Sequence, residues 1–163
     1  AEWYGHSMNI GTHGSVMAYK TNHLDLDPTY KDPHGRPLMR MTFNWNPNDI
    51  RMTQFMKGKA EELAKTMNPD LMQSSFKKEG AQFDVRPYQT THTTGGHTMS
   101  ANPREGVVNR FSQAWDKHNV FMLGAGNFVQ NTQYNPTGLL GGLAYWTAHA
   151  IRTQYLSNPR PLV

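Results

Sequence analysis

Apolar residues recur at helical spacing in two stretches of this chain. Between Asn46 and Met67, the residues Met52, Phe55/Met56, Ala60, Leu63/Ala64 and Met67 follow a 3.6-residue period. Asn46 is suited to cap that helix, Pro47 to its first position and Asp49 to its positive end, so the spacing predicts an amphipathic helix whose apolar face packs in a core. The second stretch, Gly138 to Leu156, carries the small residues Gly141, Gly142, Ala144 and Ala148 and predicts a close-packed terminal helix. Elsewhere the apolar runs are short. His13 to Lys20 and Arg36 to Phe43 read as strands joined by a loop from Asp25 to Gly35, and Phe83 to Gln89 and Val120 to Leu123 read as two more. Asn68 to Gln82, polar and lysine-rich, reads as a loop. The fold class expected is α+β, a mixed or antiparallel sheet with flanking helices.

Composition narrows the range of functions. A chain of 163 residues is long enough to bury a core of its own, although only 37% of its residues are hydrophobic and the mean hydropathy is −0.71. No run approaches the ~18 apolar residues of a membrane span, and the first residues do not form a signal peptide, so export or membrane attachment is expected to depend on other sequence or on partners. The net charge of +4 does not point to nucleic acid. Its lysines and arginines are scattered, and the close pairs Lys77/Lys78 and Lys57/Lys59 are not interleaved with stacking aromatics. With no cysteine, disulfides and thiolate metal sites are excluded.

The candidate chemistry lies in two segments. His92-Thr93-Thr94-Gly95-Gly96-His97-Thr98-Met99 places an imidazole ahead of a glycine turn. Tyr134-Asn135-Pro136-Thr137-Gly138 places an amide at an expected helix start, where unpaired N–H groups and the helix dipole present positive charge. A base facing an amide and a positive helix end can take a proton from an alcohol and steady the oxyanion. Taken singly, a histidine in a Gly/Thr loop is more often a hydrogen-bonded loop residue than a catalyst. His92 and His97 could hold a metal if a third ligand joined them, but the remaining histidines have no ligand-like spacing and no metal site is expected. Asp25, Asp27 and Asp32 lack the spacing of a calcium loop and read as turn residues. Gly124-Ala125-Gly126 has part of a pyrophosphate-binding fingerprint, but a turn-rich stretch follows where that motif needs a helix.

Taken together, the two segments resemble the C-terminal signature of the glucose–methanol–choline (GMC) family of FAD-dependent oxidoreductases. His92, Gly95 and Met99 fall on its H-x-x-G-x-x-x-M pattern, and Asn135, Pro136 and Thr137 on the N-P-T that opens its last helix. Between them, Val107-Val108-Asn109 and the run from His118 to Gly126 follow the family's closing strand, so the match spans roughly residues 86 to 156. Leu24-Asp25-Leu26-Asp27-Pro28 and Asp32-Pro33-His34-Gly35-Arg36-Pro37 resemble the strand pair ahead of the active site. The wording from Pro87 to Gly96, and Gln130-Asn131 ahead of Tyr134, is similar to one branch, the large flavoprotein subunits of bacterial membrane-bound gluconate, fructose and sorbitol dehydrogenases.

The resemblance implies a dehydrogenase that oxidises a CH–OH group of a sugar, polyol or sugar acid by hydride transfer to FAD. His92 would be the base and Asn135 the hydrogen-bonding partner of the same oxygen, while Gly124, Ala125, Asn135, Pro136 and Thr137 would meet the cofactor. Gly124 stands where many members carry an acidic residue, so backbone N–H groups would have to serve there. Residues 1–90 would form a substrate-binding portion, and 91–163 the catalytic segment that returns to an FAD-binding domain supplied by an N-terminal region absent from this chain. The branch implies a small subunit and a cytochrome c subunit as partners, haem or quinone as the electron acceptor, and the periplasmic side of the inner membrane. The isolated chain would be inactive. The rival expectation is a non-catalytic carbohydrate-binding or interaction domain derived from the same fold.

Overall fold

The computed structural model describes residues 3–86, 92–131 and 133–162. It divides into two compact units, one made of Ala1–Gly14 and Trp45–Phe83, the other of Ser15–Asn44 and Asp84–Val163.

The first unit is organised by α1, Pro47–Lys65, which starts where the sequence predicts. Asn46 is extended at φ −87° and ψ 155°, Pro47 supplies the preset φ of the first helical position, and the Asp49 carboxylate accepts the Asn46 N–H at 2.9 Å. Asp49 and Ile50 are buried. The predicted apolar face is only partly inward. Met52, Met56, Ala60 and Ala64, spaced by four, are half-buried, whereas Phe55, Leu63 and Met67 face outward. Gly14 explains one close approach, since a Cβ there would lie 2.4 Å from the Met52 sulfur. The loop that follows α1 packs by polar and cation–π contacts. Ser74 donates to Glu61 at 2.5 Å, the Lys57 ammonium lies 4.7 Å from the Phe76 ring, and the Lys77 ammonium lies 3.9 Å from the Trp45 ring, which meets Phe83 edge-on. Burial pushes the Lys77 pKa down.

In the second unit, β1 (His23–Lys31) and β2 (Pro37–Thr42) form an antiparallel hairpin. The β2 prediction holds. The prediction for its partner does not: His13 to Lys20 forms a single bridge, Met17 to Gln130, and the strand lies in the stretch read as the Asp25–Gly35 loop. The aspartates that suggested turns have other tasks. Asp25 pairs across the ribbon with Arg40 at 2.8 Å, and Asp27 accepts the N–H groups of Thr29 and Tyr30, each at 2.8 Å, around Pro28 where the register is irregular. Asp32 closes the turn by accepting the N–H groups of His34 and Arg36. These backbone and arginine bonds hold the Asp25, Asp27 and Asp32 carboxyls below the usual range. Leu26, Tyr30, Met39 and Met41 lie exposed on the ribbon.

The core of this unit contains Val108, Phe111, Phe128, Ala150 and Leu162, with Phe121 and Tyr155 packed against part of it. Val120 to Leu123 is not a strand but a single bridge, Phe121 to Gln113. Phe83 to Arg86 is irregular, and the rest of the strand expected through Gln89 lies outside the described residues. The terminal helix is present as α2, Thr137–Ala150, continued by a π-helical turn at Ile151–Tyr155. Its buried residues are Thr147 and Ala150, while Gly142 and Ala148 of the expected small-residue side are exposed. The α+β class stands. Among the described residues no helix is long and apolar enough to cross a membrane.

Candidate active site

The two segments singled out in the sequence lie in the same unit, and the first of them, His92 to Met99, is laced by backbone bonds to the turn at Gly124 to Asn127. The N–H groups of Gly95, His97 and Met99 donate in turn to the carbonyls of Ala125, Gly126 and Asn127, at 3.2, 3.1 and 2.9 Å. Gly95 is required at its place: φ is +84°, and a Cβ would stand 3.1 Å from that of Ala18. His92 is half-buried, and its carbonyl accepts the Asn131 side-chain amide at 2.9 Å. Asn131 is itself held, its N–H donating to the Val16 carbonyl at 2.8 Å and its carbonyl accepting the Ser15 hydroxyl at 2.5 Å.

His97 packs against the glycine turn. Its ring lies against Gly126, so that a Cβ on Gly126 would come within 2.1 Å of the imidazole. Burial depresses its pKa, partly opposed by a hydrogen bond to the Leu123 backbone, and its Nε2 is buried with no hydrogen-bond partner. Among the described residues no group of three or more histidines and carboxylates could hold a metal ion.

Gly124, at φ +118°, opens a short 3₁₀ turn, Ala125–Asn127, with open space where its side chain would be. No α-helix follows, so the partial glycine fingerprint lacks the helix that a pyrophosphate loop requires. Asn127 is buried and donates to the Ser112 hydroxyl at 2.9 Å, which also accepts the Thr147 hydroxyl at 2.9 Å. This chain of polar groups fastens the turn to α2. At the start of α2 the cap position belongs to Pro136, which is buried, and its carbonyl accepts the Leu140 N–H at 2.9 Å. Asn135 therefore precedes the cap rather than forming it, because proline's fixed φ places Pro136 at the entry to the first turn. Asn135 and Thr137 are exposed at the positive end of the helix. In the sequence Asn131 stands out only through the family resemblance, and Ser112, Asn127 and Thr147 carry no local signal because their partners are far away in the chain.

A histidine-bearing loop, a glycine turn and an exposed helix start thus lie in one hydrogen-bonded unit. The sequence model of the GMC oxidoreductase C-terminal domain matches residues 18–144, and the chain belongs to that family. It is 50% identical over 163 residues, all of this chain, to the gluconate 2-dehydrogenase flavoprotein of Pantoea cypripedii, of which it covers 26%. It is 28% identical over 145 residues to the 2-methyl-1,2-propanediol dehydrogenase of Mycolicibacterium austroafricanum, covering 88% of this chain and 25% of that one. To the fructose dehydrogenase large subunit of Gluconobacter japonicus it is 25% identical over 148 residues, covering 90% of this chain and 25% of that one. The chain thus spans about a quarter of the length of the curated relatives it matches.

Proposed function

We propose that the chain is the C-terminal part of an FAD-dependent dehydrogenase that oxidises a CH–OH group of a sugar, polyol or sugar acid. The observation that carries this reading is the 50% identity, over all 163 residues of this chain and 26% of the relative, to a gluconate 2-dehydrogenase flavoprotein, together with the lacing of the His92 loop to the Gly124–Asn127 turn. The local backbone fits a flavin. Gly124 leaves open space beside its backbone, and Asn135 and Thr137 stand exposed around buried Pro136 at a positive helix end. Gly124, Ala125, Asn135, Pro136 and Thr137 would hold the ring side of the cofactor, and an FAD-binding region outside this chain would supply the remaining contacts.

In this account the bound flavin supplies the hydride acceptor. An imidazole nitrogen of His92 accepts the substrate hydroxyl proton, which builds negative charge on the oxygen as the C–H bond weakens. The Asn135 amide donates to that oxygen, and the dipole of α2 adds to its stabilisation. Residues 1–90 serve the substrate side and 91–163 the catalytic return to the FAD domain. A small subunit and a cytochrome c subunit fit as partners, with the assembly on the periplasmic side of the inner membrane and electrons leaving to haem or quinone.

The test is anaerobic mixing of the complete flavoprotein that carries this chain with gluconate, fructose, sorbitol and a simple diol. Bleaching of the flavin absorbance by at least one of them is expected. An FAD-loaded protein that none of these reduces, and that instead binds sugars unchanged, would favour the non-catalytic domain.

A further inference from the structure

We infer that Asn131 is a positioning residue for His92, a conclusion that rests on the functional reading above. Its main chain is fixed on both sides, the N–H on the Val16 carbonyl and the carbonyl by the Ser15 hydroxyl. The neighbouring Ala18 N–H donates to the Val129 carbonyl at 3.2 Å, and Met17 bridges Gln130, so this short ladder is a firm base. From that base the Asn131 amide donates to the His92 carbonyl at 2.9 Å. A bond to that carbonyl fixes the peptide plane following His92 and thereby restricts its ψ, which sets the direction in which the imidazole leaves the chain. The next tie point downstream is the Gly95 N–H, on a glycine at φ +84°. Without the amide, the span through Thr93 and Thr94 would lose this anchor at its start.

Asn131 also lies in the segment that leads to Asn135 and α2. The same amide therefore couples the base-bearing loop to the chain that carries the second catalytic candidate. A shift of about 1 Å in a reacting group costs on the order of 100-fold in rate.

The experiment uses the complete FAD-loaded flavoprotein, with Asn131→Asp, which keeps the shape but faces the carbonyl with an acceptor, and Asn131→Ala. Both should retain FAD and the apparent affinity for substrate while the limiting rate of flavin reduction falls by about 10- to 100-fold. Combined with His92→Ala, neither should slow the reaction beyond His92→Ala alone, because the two groups act as one unit. In protein with ¹³C-labelled histidine, the ring resonance assigned to His92 by its loss in His92→Ala should move in Asn131→Asp.

A wild-type rate in either variant, a loss that adds to that of His92→Ala, or an unmoved His92 resonance would overturn the inference. Loss of FAD from both variants would also overturn it, by making the amide a requirement of folding. His92→Ala reducing its flavin at the wild-type rate would instead sink the functional reading itself.

Discussion

Gly126→Ala offers a sharp test of the packing around the candidate site. The position is not in the left-handed region, so alanine is permitted by the backbone; the obstacle is the His97 ring. A Cβ would lie 2.1 Å from Cε1, 2.2 Å from Nδ1 and 2.9 Å from Nε2. Ordinary carbon contacts lie at ~3.5 Å, so the ring must retreat by more than an ångström. It has little freedom to do so, because the ring is hydrogen-bonded to the Leu123 backbone and its Nε2 is buried. Overpacking of this kind costs about 1–3 kcal/mol, offset by about 0.4–1 kcal/mol for the lower unfolded-state entropy of alanine; because the ring must move by more than an ångström the cost lies in the upper half of that range, which leaves a net loss of about 1–2.6 kcal/mol. Urea unfolding of the complete flavoprotein, followed by a fluorescence signal from this region, should show an earlier transition for Gly126→Ala. The double variant with His97→Ala should recover most of that loss, since the methyl then enters the space the ring vacated. An unchanged midpoint for Gly126→Ala, or strict additivity in the double variant, would refute the reasoning.

Three further outcomes follow from other parts of the chain. Gln113, 1% exposed, accepts the Leu162 N–H at 2.6 Å and donates to the carbonyls of His118 and Arg160 at 2.6 and 3.0 Å, so Gln113→Leu should cost about 3–5 kcal/mol and speed amide hydrogen exchange at Leu162; exchange equal to that of the wild type would contradict this. His97 has a folded pKa below its ordinary 6.5 because burial disfavours the cation, so its contribution to stability is complete above 6.5 and is lost as pH falls through the lower folded value. Denaturation curves taken from pH 7.5 downward should therefore show a loss that is smaller in His97→Phe, and identical pH slopes would count against it. The isolated 163 residues should bind no FAD at micromolar concentration and should associate, since Leu26, Tyr30, Met39 and Met41 are exposed on one ribbon; size-exclusion chromatography with absorbance at flavin wavelengths decides it, and a yellow monomer would contradict it.

What could be read from the sequence was whatever local chemistry dictates. Asn46, Pro47 and Asp49 announce the start of α1 within four consecutive positions, and the structure uses each in its expected role. His92, Gly95 and Met99 likewise mark a loop whose glycine adopts the positive φ the turn needs. β1 was misread as a loop from its composition because its aspartates imitate a turn and both faces of the ribbon meet solvent over most of its length, although the family resemblance did place a strand at Leu24 to Pro28. Val120 to Leu123 looked like a strand because it is apolar, but only Phe121 pairs. The supports of the site were hidden for a different reason. Asn131 meets His92 across 39 positions, Thr147 meets Ser112 across 35 and Asn127 meets Ser112 across 15. No periodicity or short motif carries such pairings, which arise only when tertiary structure brings the amides and hydroxyls together.

The central claim, that His92 serves as the base of an alcohol-oxidising flavin site, is tested most directly by stopped-flow reduction of the complete FAD-loaded flavoprotein in its wild-type and His92→Ala forms. A substrate that bleaches the wild-type flavin should do so about 10²–10⁴ times more slowly in His92→Ala, with the flavin still bound, the usual scale for losing a positioned acid–base group. Reduction at the wild-type rate in the variant would contradict the account.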